Sequence, residues 1–290
     1  MEIIDAQIHP PAPRLGGWDE SGGEEEYRLS TELALASMEA AGVDRAVISW
    51  DVGWPEFAAT HFPDKFVSTV GRHYGDHAWL EAPDFEEQFE EFVSKPGVVG
   101  YRQLLNHPDK DAQQLKSGGF DRLFETCQKL EIPLLIMVSG EPSLAAPIAQ
   151  KYPNLQLVLD HLAMLQPPYQ TPDNPPWKAL PELLELAQHE NIALKLVGAP
   201  TLSAEPYPFR DLWAPLNQIV ESFGPERLMW GTDIQGVIGR IAHYTTDVDY
   251  PGLHNYGEAV GYLRDTDQLS QSEKEMIFAG TARRVFNWPT

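Results

Sequence analysis

A chain of 290 residues, 42% hydrophobic and 22% charged, has an ordinary globular composition and can bury a core without disulfide staples. Its formal net charge of −22 argues against nucleic acid or an anionic membrane surface as a partner. A single cysteine, Cys127, excludes an internal disulfide and a cysteine-based zinc site, and favours a reducing, cytoplasmic setting.

The opening stretch MEIIDAQIH lacks the basic and apolar regions of a signal peptide, and no apolar run approaches the roughly 20 residues of a membrane span. Eight short apolar runs follow in order, at 3–9, 43–50, 66–72, 98–104, 133–139, 155–161, 192–197 and 227–233. Each is read as a strand. Amphipathic stretches at 31–41, 85–93, 120–130, 143–151, 179–189 and 212–223 lie between them, and 273–286 closes the chain. The second connection, 55–63, has room only for a short helix. Strands alternating with helices imply parallel pairing and right-handed crossovers. Eight such units predict an α/β fold, a (β/α)₈ TIM barrel forming a single domain over 1–290. An open doubly wound sheet is the runner-up, but no glycine-rich phosphate loop follows the first strand. Three long connections, 10–28, 162–177 and 234–256, all follow strands, so on a barrel they stand at the catalytic face.

Side chains alternate across a strand, and this parity nominates a site. On strand seven, Ile192, Leu194 and Leu196 form the helix-facing set, which turns Lys195 inward. On strand one the polar set is Asp5, Gln7 and His9, with His9 nearest the top. Arg102 groups with Val98 and Gly100, His73 with Thr69 and Gly71, and Ser139 with Met137 and Leu135. If His161 faces inward, its neighbour Asp160 faces the helices or the rim. Asp233 ends strand eight after an apolar run, and an acid there is costly unless it has a task or a partner. His9, His161, Arg102 and Asp233 thus converge from four strand ends.

These residues resemble a family. The order Ile4-Asp5-Ala6-Gln7-Ile8-His9, Gly100-Tyr101-Arg102, Asp160-His161, Lys195-Leu196, Arg227 through Asp233, and Phe278 through Arg283 is similar to the amidohydrolase-related group of (β/α)₈ barrels. Within that group it most resembles the lactonase branch, which includes 2-pyrone-4,6-dicarboxylate lactonase and the sugar-acid lactonases. In metal-dependent members a His-x-His pair, a fifth-strand histidine and the eighth-strand aspartate hold a divalent ion. Here Gln7 replaces the first histidine, and the fifth strand carries none. A catalytic zinc usually keeps three protein ligands of nitrogen, sulfur or carboxylate type. No resident metal or other cofactor is therefore expected, with a weak zinc site at His9, His161 and Asp233 left open.

The resemblance implies a hydrolase that opens a lactone or related cyclic ester or amide. Asp233 would take a proton from water. His161 and His9 would donate to the carbonyl and its developing oxyanion. Arg102 would clamp a substrate carboxylate, and Gln7, Lys195, Ser139 and His73 would complete the polar wall. Trp18, Tyr207 and Tyr244 are candidate lid residues. The expected partner is a small molecule, such as a carboxylate-bearing lactone. Two competing readings are a metal-dependent decarboxylase of a small unsaturated or aromatic acid and a barrel that only binds a ligand. Oligomeric state is not legible in the sequence.

Overall fold

A computed structural model describes residues 1–10, 23–49, 53–71, 78–105, 108–166, 170–171, 173–235, 238–240 and 254–288. Eight parallel strands follow one another around a barrel: β1 (Ile4–Ile8), β2 (Arg45–Ser49), β3 (Phe66–Val70), β4 (Val98–Leu104), β5 (Leu134–Met137), β6 (Leu157–Leu159), β7 (Ile192–Lys195) and β8 (Leu228–Met229). The seam is closed by the segment after β8. Ala6 donates its backbone N–H to Trp230, and Asp233 donates to Gln7, at 3.1 and 2.9 Å. That segment runs into β9 (Ile234–Gln235), which pairs with β1 and forms an antiparallel hairpin with β10 (Ile238–Arg240). The hairpin lies within a connection that reads as an irregular loop in sequence.

Two apolar cores follow from strand parity. Ala46, Ile48, Leu134, Ile136, Leu157, Leu159, Ile192 and Leu194 face outward and pack under the helices. Ile4, Ala6, Val47, Val67, Leu135, Val158, Ala193 and Met229 fill the barrel interior. Each fully buried valine, leucine, isoleucine or methionine among them contributes about 1.5–3 kcal/mol.

The helices on the outside are α1 (Glu24–Ala41), α2 (Trp54–His61), α3 (Phe85–Val93), α4 (Pro108–Lys116), α5 (Asp121–Lys129), α6 (Ala145–Lys151), α7 (Leu180–Glu185), α8 (Trp213–Phe223) and α9 (Tyr256–Arg264). Helix α1 starts seven residues earlier than its apolar pattern predicts. Glu24, Glu25 and Glu26 form its first turn, where acids are favoured by the helix dipole. Helix α4 goes unannounced in the sequence, being polar along its length. The short α2 occupies the second connection as expected.

The closing stretch is a helix in three pieces: α10 (Gln271–Glu275), a π-helical turn over Met276–Gly280, and α11 (Thr281–Val285). Ala282, Val285, Phe286 and Trp288 join the interior core and plug the floor of the barrel. The opposite end, where the strands terminate, is left for polar chemistry. Among the described residues no helix is long and apolar enough to cross a membrane.

Candidate active site

Strand β8 is short, and the chain leaves it through Trp230, Gly231 and Thr232. A side chain at Gly231 would stand 2.7 Å from a Val197 methyl and 3.2 Å from the Ala6 nitrogen, so glycine lets the segment pack tightly against β1 here. Asp233 then adopts a left-handed φ of +61°, which turns its carboxylate into the barrel mouth. A residue with a Cβ is disfavoured there unless its surroundings hold it.

Strand β1 supplies the holders. Gln7 Nε2 donates to Asp233 Oδ1 at 2.5 Å, and His9 Nε2 lies 2.8 Å from the same oxygen. Gln7 Oε1 accepts from Lys195 Nζ at 3.0 Å. These partners fix the orientation of the Gln7 amide. Turned over, it would set oxygen against the Asp233 oxygen and its NH₂ against an ammonium. Gln7 Nε2 also lies 3.3 Å from His161 Nε2, and Arg102 Nη2 lies 3.4 Å from it. Both neighbours are donors. In this network His161 Nε2 is placed to act as the acceptor.

Behind the histidine lies a buried charge cluster. Asp160 is paired through Oδ2 with Arg102 Nε at 2.5 Å and through Oδ1 with Lys195 Nζ at 3.1 Å. Lys195 and Asp160 have no exposed side-chain surface. Burial pushes the Asp160 carboxyl up, but the Arg102 and Lys195 charges outweigh it and hold the group at about 2. Burial pulls the Lys195 ammonium below its ordinary value, partly offset by Asp160. Two cations and one anion leave one net positive charge, and Asp233 stands across Gln7 from it.

The structure thus brings Asp233, His9, Gln7, His161, Arg102 and Lys195 into one hydrogen-bonded constellation. Ser139 lies just past β5 on the inward parity, and its hydroxyl is buried with no partner among the described residues. His73, Trp18 and Tyr244 lie outside the described residues. Tyr207 is described, and its ring packs edge-on against Phe209 at 5.7 Å.

Three parity expectations are corrected. Asp160 points inward, not toward the helices or rim. Strand β6 ends at Leu159, and His161, Leu162 and Ala163 all take positive φ, so consecutive residues need not alternate. Asp5 points outward. The β1–β2 register shifts between Asp5 and Ile8, so Ile4 and Ala6 face the interior and Gln7 still does. A shift of that kind is what a β-bulge produces. At β4 a similar shift puts Val98 on the helix side and Val99 inside, while Gly100 meets the inward side chains of Leu135 and Thr69.

Asp5 has its own buried setting. Its Oδ1 accepts the backbone N–H groups of Gln7 and Thr232 at 3.1 and 2.9 Å. Its Oδ2 accepts the hydroxyls of Thr232 and Tyr256 at 2.5 and 2.9 Å. Burial pushes this carboxyl up to about 6, against the pull of those donors. The Asp160 hub was missed in sequence, yet a signal existed. Two inward cations, on β4 and β7, require an anion between them, and Asp160 ends the strand beside β7.

A family model described as amidohydrolase matches residues 4–288. The chain belongs to the amidohydrolase family. It is a hydrolase of that family. The chain is 28% identical over 232 residues to 4-sulfomuconolactone hydrolase of Hydrogenophaga intermedia, covering 78% of this chain and 71% of that protein. It is 37% identical over 106 residues to L-fucono-1,5-lactonase of Burkholderia ambifaria, covering 36% of this chain and 34% of that one. The fold matches an amidohydrolase of Burkholderia multivorans with bound zinc, at a TM-score of 0.73, 20% identity and full coverage of both chains. It also matches a Pseudomonas putida protein provisionally named a 2-pyrone-4,6-dicarboxylic acid hydrolase. There the TM-score is 0.65 at 20% identity, covering 100% of this chain and 98% of the other.

Proposed function

We propose that this amidohydrolase opens a lactone by direct attack of water, with Asp233 as the base and no resident divalent metal. The observation that carries the reading is the Asp233 carboxylate itself. Gln7 and His9 hold its Oδ1, and the net positive Arg102–Lys195–Asp160 cluster faces it across Gln7. Those contacts aim the carboxylate into the barrel mouth, where it would accept the proton.

In this reading Asp233 removes a proton from water as the oxygen attacks the lactone carbonyl. The resulting oxyanion forms in the field of the same cluster, with Arg102 and the Ser139 hydroxyl as candidate donors. His161 orients the Arg102 guanidinium and the Gln7 amide through Nε2. The proton taken by Asp233 passes to the ring oxygen as the carbon–oxygen bond breaks, so one water is consumed and one hydroxy acid is released. The excess positive charge suits a substrate carrying a carboxylate or sulfonate beside the ring.

Support for working without a resident metal comes from the donor set. Glutamine can ligate an ion only through its oxygen, and Gln7 Oε1 faces the Lys195 ammonium at 3.0 Å. The residues present do not fit a tightly held zinc, and among the described residues no three of His, Cys, Asp and Glu converge as a metal-binding group.

The test is a panel of sugar-acid 1,5-lactones and muconolactones, followed by ring opening in wild type and Asp233→Asn. Hydrolysis by wild type that is lost in Asp233→Asn is the expected result. Turnover that survives Asp233→Asn overturns the base assignment. Carbon dioxide release from an unsaturated acid would replace the reading with a decarboxylase. Stoichiometric zinc whose chelation stops turnover would overturn the metal-free mechanism.

A further inference from the structure

Asp5 does not face the substrate space. It sits on the outer side of the β1–β8 seam, fully buried, and makes no ion pair among the described residues. An unpaired carboxylate is costly to bury, so its four donors must be the return. Those donors are unusually placed. Oδ1 binds the backbone N–H of Gln7 and that of Thr232, the residue before Asp233. Oδ2 binds the Thr232 hydroxyl, which itself accepts from the Ile234 N–H at 3.1 Å. The residues on either side of Asp233 are thus both tied to Asp5, directly or through one hydroxyl. Asp233 in turn donates its own N–H to the Gln7 carbonyl.

Resting on the hydrolase reading above, we infer that Asp5 is a positioning residue of the active site: its carboxylate clamps the backbone of β1 to that of the segment after β8 and so sets the Gln7 amide and the Asp233 carboxylate against each other. Two features need such a clamp. The bulge in β1 takes the Gln7 N–H out of the regular ladder, and Asp5 supplies the missing acceptor. The left-handed backbone of Asp233 is favoured when the residues beside it are held. Tyr256 fixes the clamp from outside. It is the first residue of α9, directly after Asn255, whose side chain and Glu258 form a reciprocal capping box.

The experiment compares Asp5→Ala, Asp5→Asn and Tyr256→Phe with wild type, by steady-state kinetics on a lactone that wild type opens. Asp5→Ala lowers kcat by about 10²-fold with KM within about threefold, as expected when reacting groups move by an ångström. Asp5→Asn recovers to within about fivefold of wild type, because the amide oxygen keeps both backbone N–H groups while the two hydroxyls rotate to accept from its NH₂. A merely structural residue would lower the folded fraction and leave kcat per folded molecule unchanged, and that result overturns the inference. Equal losses in Asp5→Ala and Asp5→Asn also overturn it, since charge rather than placement would then matter.

A second readout needs no substrate. The ¹⁵N resonance of His9 Nε2, which is bonded to Asp233, should move in Asp5→Ala and stay in Asp5→Asn. If wild type opens no lactone, the proposed function fails while this resonance still decides the role of Asp5. A resonance unmoved in folded Asp5→Ala overturns the inference. Should Asp5→Ala fail to fold, Tyr256→Phe carries the same test, with an expected loss of about threefold in kcat and a smaller shift. No change in either readout overturns the clamp.

Discussion

Two acids with no solvent exposure, Asp160 inside the barrel mouth and Asp5 on the outer seam, are displaced in opposite directions. Asp160 is held at about 2 and Asp5 is raised to about 6. Burial opposes ionisation at both sites. The difference lies in what else is there. Asp160 meets two cations, whereas Asp5 meets only neutral donors. Charge is therefore concentrated inside the barrel mouth, and neutral donors hold the acid on the outer seam.

The contrast can be broken or sharpened by substitution. The largest effect is expected at the mouth, where Asp233→Asn should lower turnover about 10⁴-fold, as loss of a general base does. Its melting curve should stay close to that of wild type, and a collapsed fold would mean that Asp233 acts as scaffold. Next, Asp160→Asn leaves Lys195 and Arg102 buried without their anion. It should destabilise the protein by about 3–5 kcal/mol in denaturant titration. A loss below about 1 kcal/mol would show that water already screens the cluster.

Lys195→Met should have a smaller effect on folding, because Arg102 still pairs with Asp160. It frees the Gln7 oxygen, so turnover should fall by about 10²-fold while the fold survives. Unchanged turnover would remove Lys195 from the working set.

The smallest effect is a pH dependence with opposite signs at the two acids. The Asp5 carboxyl is raised from its ordinary 3.8, so its contribution to stability is complete below pH 3.8 and is lost as pH rises through 6. The Asp160 carboxyl is lowered, so its contribution is complete above pH 3.8 and is lost as pH falls through 2. Melting temperatures of Asp5→Asn and wild type, taken between pH 4 and 7, should diverge in favour of the variant as pH rises. The expected difference is of order 2 kcal/mol. A constant gap across that range would show that Asp5 titrates alike in folded and unfolded chains.

Much of this arrangement could be read from residue order alone. The eight strands and the inward Lys195 and Ser139 follow from a period of two along straight segments. The reading fails where the backbone leaves that period. A bulge reverses the parity of β1 between Asp5 and Gln7, and left-handed residues after Leu159 allow Asp160 and His161 to share one side. The Tyr256 contact joins residues 251 positions apart and leaves no local trace. Helix α4 escaped because its polar surface lacks an apolar stripe. Irregular backbone is concentrated at the candidate site, which is where pattern reading is weakest.

The floor of the barrel has a consequence for biosynthesis. Ala282, Val285, Phe286 and Trp288 leave the ribosome after every strand they cover. Until then, a nascent barrel exposes the lower ends of its aliphatic interior as an open apolar ring. That stage is the one at which sticking to other chains competes with completion. Shortening the chain before Val285 would make the hazard permanent, yielding insoluble protein even though the polar groups at the far end are untouched.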